Sequence, residues 1–528
     1  MAKLLTKEDI FHILSKRFEN DKCKKLSMLP SPFLFKDIKK AAVRIKEAIK
    51  RGEKIAIVGD YDVDGVVSSA IISEFFDDLK INYKIKIPDR FKNGYGISPQ
   101  IVEELDADLI ITVDNGITAI DAAEVCQKRG IDLIITDHHT PINTLPKAFA
   151  IINPKQSGCG FPSTEICGAQ VAWYLCAALK KELSINYDLS KFLDILAIAI
   201  IADMMELKDI NRTMVRSGLQ YLNKSKRFSI QAIKTAFDKE EFTSEDISFL
   251  LAPLLNSAGR MDHAKISYNF LKSKSLREAF LTLEHLIELN NRRKETEREL
   301  LQKAEEFVQK DKPIIVAWGE NWHEGVIGIV AAKLVKKYEV PVILFSINKD
   351  IAKGSARSVG DIDIIEIIKK EKDILIGYGG HKGAAGISLK KENLEIFKKR
   401  MEDRFSKIPK EMFLQKEEIL GEIDPKAIDF QLLKILNYFE PYGQENPIPL
   451  FVIKDAYVKI DKLIGKNKNH QKLILQKEFA TLESLDFNFE ERAVKGDKIN
   501  IIFSVSKNVF RGIITPQLLI RKITKNKN

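Results

Sequence analysis

From about residue 52 the chain alternates short runs of β-branched residues with amphipathic segments. KIAIVGD (54–60) reads as a buried strand, GVVSSAIISEFFDDL (65–79) as a helix and YKIKIP (83–88) as a second strand. DLIITVD (108–114) and DLIITD (132–137) read as third and fourth strands, with the helix ITAIDAAEVCQKRG (117–130) between them closing on its glycine. Short apolar runs bounded by turn residues suit buried strands, and the longer periodic segments suit helices. Their alternation implies right-handed βαβ units and a mostly parallel, doubly wound sheet.

Helical patterning takes over at GAQVAWYLCAAL (168–179) and SKFLDILAIAIIADMMEL (190–207) and continues to about 310. The stretch from about 275 to 309 has neither proline nor glycine and is expected to be one long connecting helix. Strand character returns at DKPIIVAW (311–318), and VIGIVAAKLVKKY (326–338) with VPVILFS (340–346) completes a second βαβ unit. After about 415, LFVIKDAYVKI, QKLILQ and DKINIIFSVSKN read as short strands of a small β-barrel, with the oligonucleotide-binding barrel as the candidate. The expected fold is α/β and multidomain. It runs from an N-terminal helical segment (1–45) and a parallel-sheet domain (46–215) to a helical region with the connector (216–310). A second α/β domain (311–405) and a C-terminal barrel (406–528) follow.

A length of 528 residues exceeds what one core supports, which agrees with several domains. The five cysteines form no CxxC pair and lack zinc spacing, so reduced thiols are expected. The N-terminus lacks a continuous apolar run, and no stretch approaches the ~18 apolar residues of a membrane span. A soluble, cytoplasmic protein is therefore expected. Net charge is +10, and residues 451–528 carry 16 Lys/Arg against 8 Asp/Glu. A basic terminal domain suits a polyanionic partner, nucleic acid first, with general solubility as the plainer account.

The polar residues gather at the strand ends. Asp60, Asp62 and Asp64 follow the first strand, Asp89 and Arg90 the second, Asp114 ends the third, and Asp137, His138 and His139 end the fourth. In an open parallel sheet ligands bind at the carboxyl ends of the strands, so these clusters share one edge. That many carboxylates repel unless a cation joins them, and oxygen with imidazole ligands favours Mn²⁺ or Mg²⁺ over a structural Zn²⁺. Asp203 adds a further acid at the end of the apolar run LAIAIIA. Several carboxylates able to bridge suggest two metals, the arrangement that supports phosphoester hydrolysis.

GDYDVDG, VDNGI, TDHH and IADMMEL, in that order, resemble the four motifs of the DHH phosphoesterase family. LAPLLNSAGRMDHA, WHEGVIGIVAAKL, GSARS, GYGGHKGAAG and EPYGQENPIPLF resemble its branch of single-strand-specific 5′→3′ DNA exonucleases, so the likeness spans roughly residues 50 to 520. It implies a DHH domain and a DHHA1-type second domain. It also implies that Asp62 and Asp64 each favour one of two Mn²⁺ or Mg²⁺ ions, that Asp114 bridges them, and that His138 and Asp203 complete the second site. Where smaller members carry a histidine, this chain has Val58, so Asp60 is expected to compensate either as a direct ligand or as a support to one, and Asp137 to orient the histidine next to it. His139 is expected to face the scissile phosphate as hydrogen-bond donor or general acid, and Arg260 to neutralise charge there.

For substrate, Arg90 is expected on a 5′-terminal phosphate, unless it is simply a surface arginine. Ser355 and Arg357 of GSARS, with His381 in the glycine-rich segment, resemble phosphate-gripping elements. Tyr95 stacks on a base or packs on its own loop. Phe503, Phe510 and Arg511 are candidate barrel contacts or barrel core and surface. The implied activity is exonucleolytic hydrolysis of single-stranded DNA in repair and recombination, by a monomer working beside a helicase and a single-strand-binding protein. The rival readings are a relative acting on short oligonucleotides or cyclic dinucleotides, which would not need the basic barrel, and a non-catalytic single-strand-binding scaffold, which would lose metal ligands.

Overall fold

Four β-branched runs and one short unanticipated segment build the first sheet of the protein. In this computed structural model, which describes residues 4–309, 311–414, 418–465, 467–489, 491–510 and 513–525, they are β1 (Ile55–Val58), β2 (Tyr83–Lys86), β3 (Leu109–Val113), β4 (Asp132–Thr136) and β5 (Ala150–Ile152). All pair in parallel, in the order β2-β1-β3-β4-β5. β5 has only 3 residues, too few to show alternation, which is why the sequence pattern misses it. Ile55, Ile57 and Ile111 pack on one face against Val66 and Ile71 of the helix Val63–Asp78. Ala56, Val58 and Ile110 pack on the other against Ile101 and Cys126. The sheet is doubly wound, and the strand order reverses between β1 and β3, where such sheets open a crevice.

Helices then run to the connector, Leu276–Glu305, 30 residues that span about 45 Å at 1.5 Å each. It leads to a second sheet of β6 (Ile315–Glu320), β7 (Val342–Asn348), β8 (Ile351–Arg357), β9 (Leu375–His381) and β10 (Ala384–Lys390), ordered β6-β7-β8-β10-β9. β6 and β7, joined through the helix Glu324–Tyr338, form the parallel pair, and the remaining pairings are antiparallel.

The last sheet contains β11 (Ile419–Glu422), β12 (Leu450–Ile464), β13 (His470–Lys477), β14 (Ala480–Phe487), β15 (Lys498–Phe510) and β16 (Ile513–Lys525). Its order is β11-β12-β13-β14-β16-β15, and β12 also pairs with β15, closing a five-stranded barrel. Phe503 is fully buried with its ring centroid 6.1 Å from that of Phe451, so it is barrel core and not a nucleic-acid contact. Arg511 and the Phe510 side chain lie outside the described residues.

The N-terminal segment is divided between domains. Ile10 and Leu14 of the helix Lys7–Lys16 share the barrel domain's core with Leu432 and Phe439 of the helix Phe430–Phe439, while the helix Ile38–Arg51 packs on the first sheet. Among the described residues no helix is long and apolar enough to cross a membrane.

Candidate metal centre

The strand ends of the first sheet converge as their chain positions require. Asp60 follows β1 and is buried. Asp62 caps the next helix, accepting the Gly65 N–H at 3.0 Å. A helix N-terminus favours an anion, and Asp64 meets a second one, accepting the N–H groups of Gly168 (2.5 Å) and Ala169 (2.9 Å) where the helix Gly168–Glu182 begins. Asp114 follows β3 at φ 63°, a left-handed conformation uncommon outside glycine, and is buried. Asp203 terminates the helix Leu193–Ala202.

His138 Nε2 lies 3.2 Å from Asp114 Oδ1, 3.6 Å from Asp203 Oδ2 and 3.7 Å from Asp64 Oδ2. The potential ligand atoms form three overlapping groups, each mutually within 4.8 Å: Asp60, Asp62 and Asp114; Asp64, His138 and Asp203; and Asp114, His138 and His139. Asp114 and His138 each belong to two groups, so the six expected ligands and His139 form one continuous cluster. Asp137 accepts the N–H of Ile117 (2.8 Å) and of His138 (2.7 Å), and its carboxylate binds the ring Nδ1 of His139 at 2.7 Å. It therefore orients the ring of His139 and not, as the sequence suggested, that of the adjacent His138.

The electrostatics have one sign. Burial, then the neighbouring aspartates, pushes the carboxyls of Asp60, Asp114 and Asp203 well above the usual range. Burial pushes His138 down to about 4, so its ring is neutral and has a lone pair to offer. Burial opposes charge on His139 too, but the Asp137 hydrogen bond and charge outweigh it and raise that ring to about 9. Asp60 Oδ1, Asp114 Oδ1, Asp203 Oδ2 and His138 Nδ1 are buried without hydrogen-bond partners. Two carboxylates about 4.8 Å apart repel by roughly 3–4 kcal/mol at an effective dielectric of ~20. Orphaned oxygens, mutual repulsion and a neutral imidazole among them fit divalent cations, and oxygen-rich donors without thiolate fit Mn²⁺ or Mg²⁺.

The remaining expected residues frame this cluster. Arg90 stacks over Tyr61, with its guanidinium carbon 4.9 Å from the ring centroid. Tyr95 donates its hydroxyl to the Asp114 carbonyl at 3.1 Å and stands 3.2 Å from His139 Nδ1, so it belongs to the centre's own scaffold. Arg260 donates to the Gly325 carbonyl at 3.1 Å, where the second domain's helix Glu324–Tyr338 starts. Burial, then the charge of Arg90, pushes Arg260 down to about 10, which still leaves a cation at neutral pH. Arg357 Nη1 donates to Ser355 Oγ at 3.0 Å on β8, and Arg357 feels the charge of Arg90. His381 is near enough to Lys155 and His139 for their charges, after burial, to push its ring down.

Sequence reasoning missed three contributors. Lys155 follows β5, and its charge acts on His138 and Asp203; a basic residue at a strand end was the available signal, but the strand went unseen. Asn256 accepts the Val63 N–H at 3.2 Å and holds the Asp62–Asp64 turn. It lies within LAPLLNSAGRMDHA. Gly168 touches Asp64 and Asp114, a tertiary contact with no local signal.

Comparison with known proteins agrees with this assembly. The family models for the DHH family N-terminal domain, the DHHA1 domain and the RecJ OB domain match residues 54–200, 311–407 and 419–522. The single-stranded-DNA-specific exonuclease RecJ of Haemophilus influenzae is 32% identical over 94% of this chain and 92% of its own length. The chain belongs to the RecJ family of single-stranded-DNA-specific exonucleases. It is also 36% identical to the Bacillus subtilis RecJ over 93% of this chain, and spans 64% of that longer protein. The RecJ of Thermus thermophilus in complex with Mn²⁺ superposes with a TM-score of 0.85 at 26% identity, covering 99% of this chain and 76% of that one. The same protein in complex with Mg²⁺ gives 0.80 at 25%, covering 99% and 75%.

Proposed function

We propose that this chain is a metal-dependent exonuclease that hydrolyses phosphodiester bonds of single-stranded DNA from the 5′ end, in repair and recombination. The observation that carries the reading is the cluster of overlapping carboxylate–histidine groups facing a second domain through Arg260 and Arg357. Asp60, Asp62 and Asp114 would hold one Mn²⁺ or Mg²⁺, and Asp64, His138 and Asp203, with Asp114 adjoining, the other. Bound there, two such ions would activate a water and offset charge on the phosphodiester oxygens.

The protein's own groups complete the work. Arg260 and Arg357 supply fixed cations for the scissile phosphate, and their planar forks match phosphate oxygens. His139, kept protonated by Asp137, is the proton source for the leaving oxygen. Arg90, Ser355 and His381 hold the 5′-terminal phosphate and Tyr95 braces Asp114 and His139 from the rim. Strand selectivity follows if the passage between the two α/β domains admits one backbone and not two. The basic barrel holds the strand upstream. An enzyme restricted to single strands needs a helicase when its target starts as duplex, and a single-strand-binding protein is the natural competitor or presenter. The chain is expected to act as a monomer.

The test is digestion of a 5′-phosphorylated single strand labelled at its 3′ end, with Mn²⁺ or with chelator, beside a matching duplex and the Asp114→Ala variant. Stepwise, metal-dependent shortening of the single strand alone, absent in the variant, is expected. Preference for dinucleotides would transfer the reading to a short-oligonucleotide phosphoesterase, and binding without cleavage to a scaffold.

A further inference from the structure

A cation that the metal centre does not use is buried where the helical region meets the barrel domain. Arg212, on the helix Asp209–Asn223, is 9% exposed, with its guanidinium carbon 4.0 Å from the Phe18 ring centroid. Its Nη2 makes only long contacts, to the carbonyl oxygens of Tyr438 at 3.4 Å and Glu440 at 3.3 Å. Its Nε is buried with no hydrogen-bond partner. Among the described residues, no carboxylate comes within the 4.0 Å of a salt bridge to it. A guanidinium carries five donors and keeps its charge; the opposite charge of Asp21 acts on it only from beyond salt-bridge reach, so burying it with donors unmet is costly.

Arg212 lines a cavity of about 870 Å³. Arg216, one turn further along the same helix, lines it too, with Lys24 and Lys25 from the N-terminal segment; Glu19 and Asp21 are the acids on its wall. Four cations against two carboxylates leave the wall with an excess of positive charge. Asp21 is itself engaged by the Asp209 backbone N–H. Tyr438, 57% exposed, presents its ring at the cavity's edge, with the Arg216 guanidinium carbon 5.9 Å from its centroid.

We infer that this cavity binds the phosphate group of a small ligand, gripped by the forks of Arg212 and Arg216. Inorganic phosphate and a deoxynucleoside 5′-monophosphate offer the same group, and the Tyr438 ring gives the nucleotide an additional stacking surface. The cavity joins residues 18–27, the helix Asp209–Asn223 and the helix Phe430–Phe439, so an occupant would tie the barrel to the catalytic domain. The inference does not rest on the exonuclease reading, because none of the residues lining the cavity is one of the candidate metal ligands.

The test is thermal unfolding of the full chain in chelator, with sodium chloride, sodium phosphate or thymidine 5′-monophosphate at matched ionic strength. The Tm is expected to rise with the logarithm of phosphate concentration and not with chloride. Arg212→Gln should abolish the rise. Arg216→Gln, at an exposed position, should leave the ligand-free Tm unchanged and raise the half-saturating phosphate concentration at least tenfold. A lower half-saturating concentration for the nucleotide assigns the site to nucleotides, and equal ones assign it to free phosphate. A rise of the same size in wild type and both variants, or none beyond chloride, overturns the inference. Should Arg212→Gln fail to fold, Arg216→Gln decides.

Discussion

Gly168 and Asp114 fit together because Gly168 has no side chain. A Cβ at Gly168 would lie 2.4 Å from Asp114 Oδ1 and 2.6 Å from its Cγ, while the Gly168 N–H donates to Asp64 at 2.5 Å. One backbone position therefore sets two of the cluster's carboxylates. Neither the glycine nor Asp114 can retreat, since both are buried. Gly168→Ala is expected to displace both carboxylates by about an ångström and lower nuclease activity about 100-fold, with far-UV circular dichroism unchanged. Activity within threefold of wild type would show that the cluster tolerates the shift.

The cluster strains the metal-free protein, and Asp114 is its most crowded member, facing the charges of Asp64, Asp62, Asp60 and Asp203. Asp114→Asn removes one charge from this repulsion at nearly constant volume. The metal-free variant should unfold at a higher temperature than metal-free wild type. Adding Mn²⁺ should raise the Tm of wild type and leave that of the variant nearly unchanged. Thermal scans with and without chelator check both, and a variant less stable than wild type in chelator would mean that hydrogen bonding, not repulsion, dominates at Asp114.

Most of this site was legible because strand ends are legible. β1, β3 and β4 are short runs dominated by aliphatic residues that lead into Asp60, Asp114 and Asp137, so the parallel sheet alone delivers those residues to one edge. The barrel was visible as strands but not as a path: its closure depends on β12 meeting β15, and whether Phe503 faces in or out depends on register, which no local pattern gives. Lys155 went unseen because β5 is three residues long. Gly168 went unseen because its role is a contact with two aspartates far away along the chain, Asp114 and Asp64. The partner of Asp137 was misjudged for a similar reason: its carboxylate bonds the ring of His139 and only the backbone N–H of His138, a choice that adjacency in the chain does not reveal.

Met204 occupies a position that favours glycine. It follows Asp203 at φ 55°, donates its N–H to Ile201 O at 3.1 Å, and is followed by Met205 donating to Ile200 O at 3.1 Å, which is the helix-ending pattern with a left-handed residue. Its side chain is 70% exposed, so little packing offsets the conformational cost of about 1–2 kcal/mol. Met204→Gly should stabilise the catalytic domain by about 0.5–1 kcal/mol after the entropy lost with glycine. A higher denaturation midpoint at unchanged slope would confirm it; a lower one would mean that the methionine packs in solution.

Asn446 joins the barrel domain to the segment that carries Asp203. It is fully buried, its amide donates to the carbonyls of Phe439 (2.9 Å) and Pro441 (2.7 Å), and its Oδ1 accepts from Arg17 at 2.9 Å. These bonds shape the loop from which Gln444 accepts the Leu207 N–H at 2.8 Å, and Leu207 follows Asp203 in the next turn of chain. Asn446→Ala leaves two buried carbonyls and a guanidinium short of partners, a loss of about 1–3 kcal/mol. If the loop serves only to dock the barrel, the KM for a long single strand should rise severalfold while hydrolysis of a small chromogenic phosphodiester is unchanged. If it also holds Asp203 in place, both substrates should suffer alike and the Mn²⁺ concentration needed for half-maximal activity should rise with them. The barrel-docking outcome is the expected one, because Asp203 is already fixed by its own helix through the bond from its N–H to Ala199 O at 2.9 Å.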